Sequence, residues 1–131
     1  MNSKKLVTIL LFTLITIASD CQNEDNCSGN GGIVVNNNIL NQVSINIGET
    51  FSYDLLGENP LFTHPDNLPI LLTILKSDHN LADVLIDPNI ATQTLFITGR
   101  QSGTFELIIR AVDDCAGDLA PRSKKIQVSI L

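Results

Sequence analysis

From residue 43 onward the apolar residues of this chain recur at every second position, and that period constrains the fold more than any other feature. It is cleanest over Gly103 to Cys115, where Phe105, Leu107, Ile109 and Ala111 share one parity while Glu106 and Arg110 hold the other. Side chains along a strand point alternately to opposite faces, so such a stretch reads as a strand with one face on a core. Val43, Ile45 and Ile47 alternate with Ser44 and Asn46, and Gly48-Glu49 turns the chain into Phe51, Tyr53 and Leu55. Ile70 to Leu75 is a nearly continuous apolar run, the pattern of a central strand covered on both faces. Ala82 to Ile86, Leu95 to Ile97 and a closing run with Ile126, Val128 and Ile130 inward complete the set. The long connection from Gly57 to Pro69 holds Pro60, Pro65 and Pro69, which cannot continue a sheet. About seven short strands, with turn signals roughly every 8 to 12 residues and no helical period, predict an all-β, antiparallel immunoglobulin-like or cadherin-like β-sandwich.

The first residues do not belong to that unit. Lys4 and Lys5 precede an apolar run from Leu6 to Ala18, which is shorter than the roughly 20 residues a membrane-spanning helix needs. The pattern predicts an export signal over residues 1–20. Thr16-Ile17-Ala18 offers small residues for an ordinary signal peptidase. Ala18-Ser19-Asp20-Cys21 resembles the lipobox of bacterial lipoproteins, with Asp20 where that motif has Gly, Ala or Ser. The acidic stretch after Cys21 is similar to that of surface lipoproteins of the Bacteroidetes. The resemblance implies lipidation at Cys21, attachment to a membrane through the lipid, and residence in the outer membrane or at the cell surface. Cleavage after Ala18 implies a periplasmic or secreted chain instead.

Residues 21–38, rich in Asn and Gly, read as a tether with Ile33-Val34-Val35 as a short strand inside it, leaving 39–131 for the sandwich. The chain has three cysteines, Cys21, Cys27 and Cys115. Lipidating Cys21 leaves Cys27 and Cys115 as one disulfide for an oxidising compartment, closing a loop long enough to contribute about 4 to 5 kcal/mol. The other outcomes are a free Cys27, or a Cys21–Cys27 pair where Cys21 carries no lipid. A formal charge of −6 with few Lys and Arg excludes nucleic acid as a partner and disfavours electrostatic docking on anionic lipid.

Phe51-Ser52-Tyr53-Asp54-Leu55, Phe62 to Asn67, Asp87-Pro88 and Gly103-Thr104-Phe105 leading to Ala111-Val112-Asp113 resemble the cadherin-like and immunoglobulin-like repeats of bacterial surface proteins. The resemblance covers about residues 43–131 and implies a non-enzymatic surface role, with surface proteins or glycans as partners. In that family the long connection reads Phe-x-Asp-Pro-Asp-Gly-Asp, and its carboxylates bind calcium. Here Phe62-Thr63-His64-Pro65-Asp66-Asn67-Leu68 keeps only Asp66, while Asp113 is retained after the strand. A sandwich of this order brings the 57–69 and 113–123 connections to one end, gathering Glu58, Asp66, Asp113, Asp114 and Asp118. A calcium site there would rest mainly on Asp66 and Asp113. Structural turn carboxylates are the competing reading.

No catalytic constellation is present in the sequence. His64 and His79 fall in loops away from metal-ligand spacing, and Gly99-Arg100-Gln101-Ser102-Gly103 is not a nucleophile elbow. Of the aromatics, Phe51, Tyr53, Phe96 and Phe105 take core parity, which leaves Phe62 as the one candidate glycan contact. Ile108 and Val112 fall on the outward parity of their strand, as loop-covered residues or as a contact surface.

Overall fold

The computed structural model describes residues 32–89, 91–113 and 121–131. Among these, nine strands follow in order: β1 Val34–Val35, β2 Gln42–Ile45, β3 Thr50–Asp54, β4 Phe62–Thr63, β5 Ile70–Lys76, β6 Ala82–Ile86, β7 Thr94–Gly99, β8 Gly103–Asp113 and β9 Arg122–Ile130. A four-stranded sheet runs β2-β9-β8-β5, a three-stranded sheet runs β3-β7-β6, and β1 pairs with β4. The export signal, Cys21, Cys27, Asp114, Cys115 and Asp118 lie outside the described residues.

The two-residue period builds the core directly. Phe105 and Leu107 of β8 stand opposite Val128 and Ile126 of β9, and Leu72 and Ile74 of β5 stand opposite Ala111 and Ile109. Across the sandwich, Leu55, Leu95 and Ile97 are fully buried, together with Leu107, Ile109, Ile126 and Val128. Each such side chain contributes about 1.5 to 3 kcal/mol by leaving water. Glu49 makes the turn at 46–49, its Oε2 accepting from the Asn46 backbone at 3.0 Å and from Asn46 Nδ2 at 2.9 Å. Gly48 takes φ 83° there. This turn carries the chain from the four-stranded sheet to the three-stranded one rather than folding β3 back on β2.

Several local expectations change. The sandwich is not purely antiparallel: β2 pairs with β9 in parallel, Val43 against Val128 and Ile45 against Ile130. These strands sit at opposite ends of the sequence, so no hairpin fixes their relative direction. Ile47 falls in the turn and is exposed rather than inward. The Ile70–Leu75 run forms an edge strand, not a central one, with Leu71 58% and Leu75 59% exposed. Phe96 points outward from β7, half-buried, because its opposite residues Ser52 and Leu85 lie on the outer face. Phe62 is 1% exposed and belongs to the core, so it is not a surface contact. Val34 and Val35 of the expected tether pair with Thr63 and Phe62, and Ile33 is buried with the core.

Candidate functional site

The connection 57–69 and the end of β8 meet at one end of the sandwich, and three of the expected site residues are described there. The connection is held from within. Leu61 N–H donates to the Leu55 carbonyl at 2.8 Å, and Tyr53 Oη donates to the Asn59 carbonyl at 2.7 Å. Leu61 and Phe62 then anchor it in the core. Past β4 the chain turns tightly, with Asn67 N–H donating to the His64 carbonyl at 3.0 Å and Asn67 at φ 54°. That turn drives the imidazole of His64 inward, leaving its side chain 2% exposed.

The ring is engaged on both sides. His64 Nδ1 accepts from the Asp66 backbone N–H at 3.1 Å. With Nδ1 serving as acceptor, the neutral ring carries its proton on Nε2. Nε2 lies 3.6 Å from Oδ2 of Asp113, whose side chain is 6% exposed. The Asp66 carboxylate is more open, 43% exposed, with Oδ2 4.0 Å from Nδ1. Asp113 reaches this position because it keeps the inward parity of β8, opposite Ile70 at the start of β5. Phe62, His64 and Leu68 also border an open cleft of about 280 Å³.

This geometry places Asp66 and Asp113 around one point, but an imidazole fills that point. Calcium takes six to eight oxygen ligands, and a buried ring nitrogen between two carboxylates does not offer that set. Glu58 is exposed in the same connection and outside the cluster. Among the described residues no group of three or more His, Cys, Asp or Glu is placed to hold a metal ion. What the arrangement does is seat the ring of the 57–69 connection against the end of β8. His79 stands apart, exposed in the β5–β6 turn, where Asp78 Oδ1 accepts from the Asn80 backbone at 3.0 Å.

Two buried polar residues have no counterpart in the sequence reading. Gln93 is 3% exposed at φ 42°. Its Oε1 accepts from Leu72 N–H at 2.9 Å and its Nε2 donates to the Ile70 carbonyl, so one side-chain amide bolts the three-stranded sheet to the edge of β5. Lys124 is 4% exposed and donates to Asn41 Oδ1 at 2.6 Å and to the Asn36 carbonyl at 3.4 Å. Desolvation by burial lowers the pKa of its ammonium group. Lys124 shares the inward parity of Ile126, Val128 and Ile130, a signal that was available in the sequence. Nothing local marks Gln93.

The outer face of the four-stranded sheet is the other candidate. Exposed Leu71 and Leu75 of β5 lie beside half-buried Ile108 and Val112 of β8. Lys76, Arg110 and Lys125 rise from the same face, with Glu106 between Lys76 at 3.4 Å and Lys125 at 3.6 Å.

No family model and no curated protein sequence matches the chain. Solved structures do. An endo-fucoidan hydrolase from glycoside hydrolase family 107 aligns at TM-score 0.55 and 14% identity, over 79% of this chain and 14% of that one. Human protocadherin-24 EC1-2 aligns at TM-score 0.50 and 13% identity, over 79% of this chain and 44% of that one. The chain thus spans less than half the length of either structure. At this identity the likeness concerns the fold alone, and it agrees with the two-sheet architecture: the chain is an all-β sandwich of the immunoglobulin-like and cadherin-like kind.

Proposed function

We propose that this chain is a non-enzymatic, exported recognition module, tethered to the outer membrane or cell surface by lipid at Cys21. The observation that carries the recognition role is the outer face of the four-stranded sheet, where Leu71 and Leu75 are more than half exposed beside Ile108 and Val112. Contiguous apolar residues on an outer sheet face are a feature of interaction surfaces. The fold shared with protocadherin-24 supports an adhesion role. Phe62 is buried and the aromatic that turns outward, Phe96, lies on the other sheet, so the apolar face of the four-stranded sheet suits a protein partner better than a glycan. A bridge between Cys27 and Cys115 belongs to this reading as a staple between the tail and the sandwich.

Complementation tests the role. Cells lacking the chain should regain adherence with the wild type and not with Leu71→Asp/Leu75→Asp produced at equal surface level and equal Tm. Equal adherence with both would refute it. Mass analysis of the mature N-terminus should find acylated Cys21, and a free N-terminus at Ser19 contradicts the anchor. A non-reducing peptide map should contain the Cys27–Cys115 linkage.

The second reading is a calcium-stabilised adhesion module, in which Asp66 and Asp113 would be ligands only with the His64 ring displaced from between them. It requires a rise in Tm at millimolar calcium that a chelator reverses and that Asp113→Ala abolishes. An unchanged melt removes it.

A further inference from the structure

Resting on the recognition role above, we propose that the free edge of β5, with the cationic face beside it, binds an extended acidic segment of a partner protein as an added fifth strand of the four-stranded sheet.

The edge is partly used and partly open. Among the described residues β5 ends its sheet and pairs with β8 alone. On its other side Gln93 takes the Ile70 carbonyl and the Leu72 N–H. Backbone groups alternate in direction along a strand, so the Ile74 N–H faces the same edge, and with Leu72 buried and Ile74 half-buried the accessible part of that edge begins at Ile74. Edge strands are ordinarily blunted by charge, proline or covering elements. β5 carries a break in register between Ile74 and Lys76 and a single charge, Lys76, at its end, but no proline within it, and Leu71 and Leu75 stay exposed along it.

Charge selects the occupant. The chain is formally −6, yet the outer face of this sheet carries Lys76, Arg110 and Lys125 against one carboxylate, Glu106. That is a basic patch on an acidic molecule, complementary to carboxylates. Beyond the end of β5 lies an open notch of about 380 Å³. Ile74 and Val84 give it apolar walls, and Lys76 a cationic rim beside His79. A side chain with an aliphatic stem and a carboxylate fits that lining. A second copy of the chain suits the edge less well, because antiparallel β5–β5 pairing would place two basic faces side by side. Strand addition supplies affinity through main-chain hydrogen bonds and selectivity through alternate side chains.

The test uses the mature chain labelled for NMR and a short synthetic peptide of alternating Glu and Val. Saturable shifts should appear at millimolar peptide or below, centred on Ile74, Lys76, Ile108 and Arg110, with new exchange protection of the Ile74 amide. Arg110→Glu, or raised salt, should weaken binding about tenfold, as expected where screening acts on exposed charge. A Glu/Val peptide N-methylated along one edge keeps its charge but cannot pair, and should bind at least about tenfold more weakly. Equal binding of the N-methylated peptide, equal binding of a Lys/Val peptide, shifts centred elsewhere, self-association at β5, or no saturation each overturns the proposal. If the peptide fails while Leu71→Asp/Leu75→Asp still abolishes adherence, the acidic-strand mode falls and the recognition role stands. If the peptide binds while that variant adheres normally, the recognition role falls.

Discussion

Replacing Gln93 by Leu should destabilise the sandwich far more than its position in a turn suggests. The side chain is 3% exposed and makes two hydrogen bonds to the backbone of β5, to Leu72 N–H and the Ile70 carbonyl. Leu72 and Ile70 are themselves buried, at 5% and 7% exposure, so water does not readily replace the lost partners. A buried donor or acceptor left without a partner costs about 1 to 3 kcal/mol, which puts the substitution near 3 kcal/mol. Both residues carry a Cβ, so the φ of 42° at this position weighs equally on each and cancels. For a domain of this size the loss lowers Tm by about 12 to 24 °C. Gln93→Glu is the sharper control. Ionised, its second oxygen faces the Ile70 carbonyl and repels it; protonated, it donates there as the amide does. The folded carboxyl therefore holds its proton more tightly than the unfolded one. The stabilising contribution is full below the unfolded pKa and disappears as pH rises through the folded value. Urea unfolding of wild type, Gln93→Leu and Gln93→Glu at neutral and acid pH reads this out. A Gln93→Leu variant within 0.5 kcal/mol of wild type, roughly the scatter of neutral surface changes, would refute the bolt, as would a Gln93→Glu variant that gains nothing on acidification.

Three further perturbations follow. His64→Ala leaves the Asp66 N–H without its acceptor and removes the ring beside buried Asp113, and should cost about 2 to 4 kcal/mol in denaturant unfolding. Gly99→Ala places a Cβ 2.7 Å from the Asn46 carbonyl oxygen and 3.0 Å from Ile130 Cγ2, so the turn and β9 must shift. Calorimetry should find it about 1 to 3 kcal/mol less stable. Lys124 has a pKa lowered by desolvation from 10.5, so between the two values the unfolded chain binds more protons and stability rises with pH. Lys124→Met should lack that alkaline rise, and faster amide exchange at 36–41 should report release of the segment Lys124 holds.

The sheets themselves were legible because alternation is a local property. β8, Gly103–Asp113, and the closing strand around Ile126, Val128 and Ile130 follow their apolar parity. The co-location of the 57–69 connection with the end of β8 followed from strand order, and His64 and Asp113 meet there. Pairing partners are not local, which is why the parallel β2–β9 ladder left no trace in the sequence pattern. The Ile70–Leu75 run misleads because apolar residues on both parities describe a buried central strand and an edge strand with an exposed apolar face equally well. β4 and the burial of Phe62 were hidden by the prolines around them, since Pro60 and Pro65 flank a two-residue strand without entering it. Gln93 escapes for a different reason. Its role comes from a side-chain amide standing in for a backbone strand, and no spacing rule announces that.

The central claim is that recognition resides on one sheet face, and a side-by-side adherence measurement tests it most directly. Cells would carry wild type, Leu71→Asp/Leu75→Asp on the four-stranded sheet, or Leu85→Asp on the outer face of the three-stranded sheet, where Leu85 is 53% exposed. With surface amount and Tm matched, the first variant should lose adherence and the second should keep the wild-type level. Retention by both, or equal loss in both, would contradict the assignment of function to this face.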